Sequence, residues 1–171
     1  TQDAAALNSA IDNLKADGAT AGHIGIQWGW YMLSPNWKSV LPAASEPVSY
    51  NTADSEKYLI LMTDGMFNTE ASGLSAGALP VHPGISLASG RLAMSYCAAI
   101  KDKKVRIYTI GFDLKNAGDA AQQAETVKML TECASTPKGS EQTFYNAENG
   151  DELKKAFDDI ARRIQSLRLT N

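Results

Sequence analysis

The chain is short of the residues that most often carry metal and catalytic chemistry: 171 residues include two histidines and two cysteines. Two cysteines cannot build a tetrahedral zinc site by themselves, and Cys97 and Cys133 do not form a CxxC pair. No apolar run reaches the roughly 18 residues that a membrane-spanning helix needs. Excess positive charge is missing too. A net charge of −3 excludes a strong general attraction to nucleic acid or anionic lipid. Nor does a charged-then-apolar signal stand at the amino end, where the first residue is Thr1. A fragment or processed chain, with targeting elements upstream, is the expectation.

What is present has a globular composition, 44% hydrophobic and 20% charged. The length suits one domain with a sizeable core and is too short for two ordinary ones. Leu7, Ala10, Ile11 and Leu14 recur at helical steps and Asp17-Gly18 supplies a stop. Ile24, Trp28, Tyr31 and Met32 share a face of a second helix ended by Ser34-Pro35. Residues 34–57 carry three prolines and read as a long surface connection. Tyr58–Met62 is an unbroken apolar run, the pattern of a strand buried on both faces of a parallel sheet. A helix over about 86–102, a strand Val105–Phe112, a helix over about 119–134 and a short strand Thr143–Asn146 follow. Asn149 and Glu152 form a capping-box-like start to a last helix with the stripe Leu153, Phe157, Ile160, Ile164 and Leu167.

Alternation of strands and helices predicts an α/β fold: three layers, a mainly parallel sheet and helices on both faces. Three strands suit either a small three-layer domain or a larger sheet whose other strands lie upstream.

Thr63-Asp64-Gly65 stands where the first strand ends, and in open α/β sheets ligands bind at the carboxyl ends of strands. A carboxylate there suits a hard cation such as Mg²⁺; alternatively Asp64 caps the turn before Gly65. Thr20 opens the second helix, as its N-cap or as a hydroxyl within reach of a cation held on a neighbouring loop.

Four stretches together carry a resemblance: Leu14 to Thr20, Gly25 to Pro35 with its tryptophans, Leu59 to Gly65 with Phe67-Asn-Thr69, and Ile107 to Asp113. With Cys97-Ala-Ala-Ile, Leu130-Thr-Glu-Cys133 and Phe144-Tyr-Asn-Ala, they make nearly the whole chain resemble a known domain. It is the von Willebrand factor A domain of TadG-like proteins of bacterial tight-adherence (Flp) pilus systems. The resemblance implies the carboxyl-terminal part of such a domain over 1–171, with the first strands missing. It implies a non-enzymatic adhesion or assembly module outside the cytoplasm, in the periplasm or cell envelope, whose parent is membrane-tethered and whose partners are pilus or envelope proteins. The family's metal-ion-dependent adhesion site joins an Asp-x-Ser-x-Ser loop, a threonine and an aspartate. Thr20 matches the threonine and Asp64 the aspartate, but the serine loop is absent from these residues. Mg²⁺ binding is therefore expected to be weak or absent.

Consecutive right-handed crossovers between adjacent strands would lay the two middle helices side by side, with Cys97 and Cys133 level late in each. A disulfide is the expectation, consistent with the oxidising compartment that the resemblance implies; two reduced core thiols are the alternative.

A competing reading comes from Gly73-Leu-Ser75-Ala-Gly77, which fits the G-x-S-x-G nucleophile pattern, with His82 near. A small serine hydrolase on Ser75 and His82 needs a strand-to-helix turn there, whereas Ala78-Leu-Pro80 follows. His23 and His82 have no partners at metal-ligand spacing and read as exposed or capping. Trp28, Trp30 and Tyr31 cannot all face one way on one turn, and core packing is the default for them. Arg162, Arg163 and Arg168 read as a solvated face. Without earlier strands, Tyr58–Met62 becomes an exposed edge lacking charge or proline, and self-association is expected.

Overall fold

The computed structural model describes residues 3–15, 20–53, 55–69, 85 and 87–167. Five helices and three strands alternate after an all-helical start: α1 (Ala4–Asp12), α2 (Gly22–Leu33), β1 (Tyr58–Thr63), α3 (Ala88–Asp102), β2 (Arg106–Phe112), α4 (Ala120–Cys133), β3 (Phe144–Ala147) and α5 (Gly150–Leu167). The strands form a parallel sheet in the order β1-β2-β3. Tyr58 lies opposite Arg106 and Thr63 opposite Gly111; Thr109 lies opposite Phe144.

Period-two alternation sorts the strand residues between two cores. Leu59, Leu61 and Ile107 face a layer built by α2, α3 and α4, with Ile26, Met94, Cys97, Ile100, Leu130 and Cys133 at its centre. Tyr108, Ile110 and Tyr145 face α5, which contributes Ala156 and Ile160. The fold is thus a three-layer α/β sandwich, as expected. The capping box that holds the start of α4 is Asp119 with Gln122, each side chain bonding the other's backbone N–H at 2.9 Å. Asn149 and Glu152 make a similar contact at the start of α5, where Asn149 Oδ1 accepts from the Glu152 N–H at 3.0 Å.

Cys97 and Cys133 are joined, with their Cα atoms 5.2 Å apart. Both helices lie on the same face of the sheet, and the bridge ties the later half of α3 to the last residue of α4, in line with the expected crossover geometry.

Two expectations are corrected. The strand Tyr58–Thr63 is not buried on both faces. It is the sheet's edge, and α5 covers β2 and β3 without extending over it, so Ile60 and Met62 stay 39% and 44% exposed. Apolarity marked a strand meant for burial; it did not say that a neighbour covers it. His23, expected exposed or capping, is 1% exposed, because the second position of α2 faces α3 and not solvent.

The aromatic segment divides as its helical phase requires. Trp30 turns inward, donates from Nε1 to the Tyr50 hydroxyl at 2.9 Å and packs on Tyr96. Trp28 stays exposed, while Tyr31 stacks on Trp37 with ring centroids 4.0 Å apart. Arg163 is also less solvated than expected. It donates from Nε to Asp159 at 2.8 Å, and the Tyr145 hydroxyl donates to the same carboxylate at 2.6 Å. These two bonds hold the Asp159 carboxyl below its ordinary range and dock α5 on β3.

Candidate functional site at the carboxyl end of the sheet

Right-handed crossovers put the carboxyl ends of the strands and the amino ends of α2, α3 and α4 at one pole. There the loop after β1 is shaped by Thr63, not by Asp64. The Thr63 hydroxyl donates to the Gly65 carbonyl at 3.0 Å and lies 3.3 Å from the Gly65 N–H. This is the turn-closing role that the sequence offered for Asp64, taken instead by the neighbouring hydroxyl. The Asp64 side chain is left exposed, and it makes no hydrogen bond or ion pair among the described residues.

Thr20 is not the N-cap of α2 either; the cap is Ala21, with no side-chain bond. Its backbone is instead clasped by the loop that begins at Asp64. The Thr20 N–H donates to Asn68 Oδ1 at 2.8 Å, and the Thr20 carbonyl accepts from Asn68 and Thr69 at 3.1 and 3.2 Å. Gly22 makes the clasp possible: a Cβ there would stand 2.0 Å from the Phe67 ring. Phe67 is 3% exposed, so this end of the loop is anchored in the core while Asp64 faces water. The segment carrying Thr20 and the loop carrying Asp64 are therefore held together at one pole.

As donors for Mg²⁺ these residues are too few. A hard cation takes about six oxygens; here one carboxylate and one hydroxyl stand on a pinned backbone, and among the described residues no group of three His, Cys, Asp or Glu side chains could hold a metal. By themselves Thr20 and Asp64 do not make up a cation's shell. Ser75 and His82 lie outside the described residues.

Sequence reasoning missed a second feature at this pole. His23 Nδ1 lies 2.6 Å from Ser89 Oγ, joining the first turns of α2 and α3. The pair is a hydroxyl beside an imidazole, but the side chains are 2% and 1% exposed, so no substrate reaches them. Burial lowers the His23 pKa, and its Nε2 has no partner among the described residues. The arrangement is a fastener between helices, not a nucleophile with its base. No signal could have revealed it, since the partners are 66 positions apart.

At the opposite pole Arg106 pairs with Glu141, and the Tyr108 hydroxyl donates to the same carboxylate at 2.5 Å. The Lys138 N–H completes the set at 3.1 Å. These groups pin the segment before β3 and leave Glu141 no capacity for chemistry.

No helix among the described residues is long and apolar enough to cross a membrane. In comparisons with protein-family models, curated proteins and solved structures, nothing matches this chain.

Proposed function

We propose that this chain is a non-catalytic adhesion or assembly module of the von Willebrand factor A type, working outside the cytoplasm in a TadG-like tight-adherence pilus system. The observation that carries the reading is the clasp between Thr20 and the Asn68 end of the Asp64 loop. It ties the backbone of Thr20 to the loop that carries Asp64, which supports one site for the two. An exposed, unpartnered carboxylate at the end of a strand is positioned to meet something outside the fold. The Cys97–Cys133 bridge supports an oxidising compartment such as the periplasm, because such bonds rarely persist in the cytosol.

The role of the chain's own residues is positional. Thr63 and Phe67 fix the two ends of the loop, Asn68 holds Thr20 against it, and Asp64 is presented to solvent. A cation, where further oxygen donors complete the shell, would supply a positive point for a partner's oxygen.

The test is pilus assembly and surface attachment in cells whose only copy carries Asp64→Ala. Loss of both, with the disulfide and thermal melt of the variant unchanged, is expected. Normal attachment would remove Asp64 from the working site, and normal pili after deletion of the whole chain would remove the proposal. Ester hydrolysis by the purified protein, abolished by Ser75→Ala, would put a hydrolase in its place.

A further inference from the structure

The pole opposite Asp64 holds a cleft of about 380 Å³ at the amino ends of β1 and β2. Five cationic side chains, Lys57, Lys101, Lys104, Arg106 and Lys138, line it against one carboxylate, Glu56. This is a marked local reversal in a chain of net charge −3. Arg106 is neutralised by Glu141, and the lysines are not. No carboxylate among the described residues lies in ion-pair contact with Lys57, Lys101, Lys104 or Lys138.

Two of these ammonium groups are built into place. Lys57 Nζ donates to the carbonyls of Leu33 and Val48 at 2.7 Å each, and Lys101 Nζ to those of Glu132 and Ala134 at 2.7 and 3.3 Å. Each ammonium has three protons; Lys101 uses two and keeps one for a ligand, while Lys57 also stands over the Tyr50 ring, 5.2 Å from its centroid. Carbonyl dipoles orient these cations, and at Lys101 the neighbouring Glu132 and Asp102 carboxylates offset part of the charge without closing an ion pair. Burial lowers the pKa of both lysines, the mark of charge held in a partly dry place.

Lys104 adds an independent sign. It follows α3 with φ of 64°, in the left-handed region where glycine is the ordinary occupant. The Val105 N–H closes the turn on the Ile100 carbonyl at 3.3 Å. The turn thus sets a lysine on the wall of the cationic cleft at a position that glycine would occupy without strain.

The cleft does not end there. A neighbouring one of about 510 Å³ shares Lys101, Ser135, Thr136 and Pro137 with it and runs on past the carboxylates Glu132 and Glu141 to Phe144, Glu141 being already paired with Arg106. The result is an elongated groove, cationic at one end and mixed at the other, on the scale of a peptide site and not of a single ion.

From this geometry we infer that the groove is a binding site for an acidic peptide segment of a protein partner, whose carboxylates meet Lys57, Lys101, Lys104 and Lys138. It lies at the pole away from Asp64, so the two sites can be occupied at once.

Fluorescence polarisation with a labelled octa-glutamate peptide tests the assignment, using octa-lysine as the charge control. The expected result is saturable binding that weakens steeply between 20 and 200 mM salt (about a tenfold range), with no binding of octa-lysine. Lys104→Gly with Lys138→Gln is expected to weaken binding at least tenfold, while the variant melts no lower than the parent because the strained position is relieved. Asp64→Ala is expected to leave peptide affinity unchanged. Equal binding by the parent and the double variant would overturn the inference, as would no binding of octa-glutamate. Displacement by inorganic phosphate as effective as by unlabelled peptide would overturn the peptide assignment.

Discussion

The two flanks of the sheet are built from similar residues and end in opposite states. On the β3 side, α5 closes one face and α3 with α4 closes the other, and Ile107, Ile110, Leu130 and Ile160 are at most 1% exposed. On the β1 side, Ile60, Met62, Trp28 and Met32 are each at least 39% exposed, and α1 buries nothing. Met32 lies half a turn round α2 from His23, which faces α3, so it points away from α3 and is 61% exposed. The apolar stripe of α1, with Leu7 and Ile11 half exposed, has the same character. Apolar residues in regular spacing thus occur on both flanks, more sharply sorted on α5 than on α1 or α2, and only one flank has them covered. A stripe predicts that a face is to be covered; it does not identify what covers it.

The difference is largest in the response to cavities. Leu130→Ala removes a fully buried side chain between α4 and the sheet and is expected to cost roughly 3–5 kcal/mol, whereas Leu7→Ala on α1 should stay within about 0.5 kcal/mol. Urea unfolding of the two variants measures both, and equal losses would break the comparison by showing that α1 is packed in solution. Opening the Cys97–Cys133 bridge by Cys→Ala at both positions comes next. It closes a loop over a separation of 36 residues, which the chain-entropy estimate values at roughly 3–4 kcal/mol. Mass spectrometry without reductant should show no free thiol in the parent protein.

The open flank is expected to find a partner in its own copies. The exposed parts of Ile24, Trp28, Met32, Ile60 and Met62 amount to roughly 500 Å² per copy, before any backbone pairing along β1 is added, against about 800 Å² in an ordinary interface. Sedimentation at micromolar concentration should show a dimer. Ile60→Lys with Met62→Lys should weaken it at least tenfold, about 1.4 kcal/mol, and leave monomer unfolding nearly unchanged. A parent protein that sediments as a monomer would sink this expectation.

The smallest effect concerns pH. His23 is buried and its pKa is lowered from 6.5 by that burial. The unfolded chain therefore binds a proton at a higher pH than the folded one. The stability it contributes is complete above about pH 6.5 and is lost as pH falls through the folded pKa. The urea midpoint should fall between pH 7.5 and 5, and His23→Gln should flatten that slope. An unchanged slope would show that other groups dominate.

The order of elements was legible because long periodic patterns carry it. Val105–Phe112 gave β2 to within a residue, and Leu153, Ile160 and Ile164 gave the inner face of α5. Cys97 and Cys133 could be set side by side because crossover handedness fixes where sequential helices lie. The rest was hidden for reasons of distance and phase. His23 carried no mark of Ser89 because nothing local records a contact between two helices. Lys57, the pair Lys101 and Lys104 at the end of α3, and Lys138 come from three separate segments, so their convergence appears only once β1 and β2 are aligned. At Asp64 the sequence placed the carboxylate correctly at a strand end, but assigned the turn to it when the adjacent hydroxyl closes it.

The bridge between α3 and α4 has a topological consequence. The covalent ring from Cys97 to Cys133 contains the whole of β2, the strand that pairs with both others. A protease that cuts once anywhere between those cysteines, including in the exposed stretch around Lys115 and Asn116, cannot release either piece. The nicked molecule keeps its mass in a non-reducing gel and separates into two bands only when the bridge is reduced. Wherever proteases are plentiful and repair is not, such a molecule would thereby survive a break in its central segment.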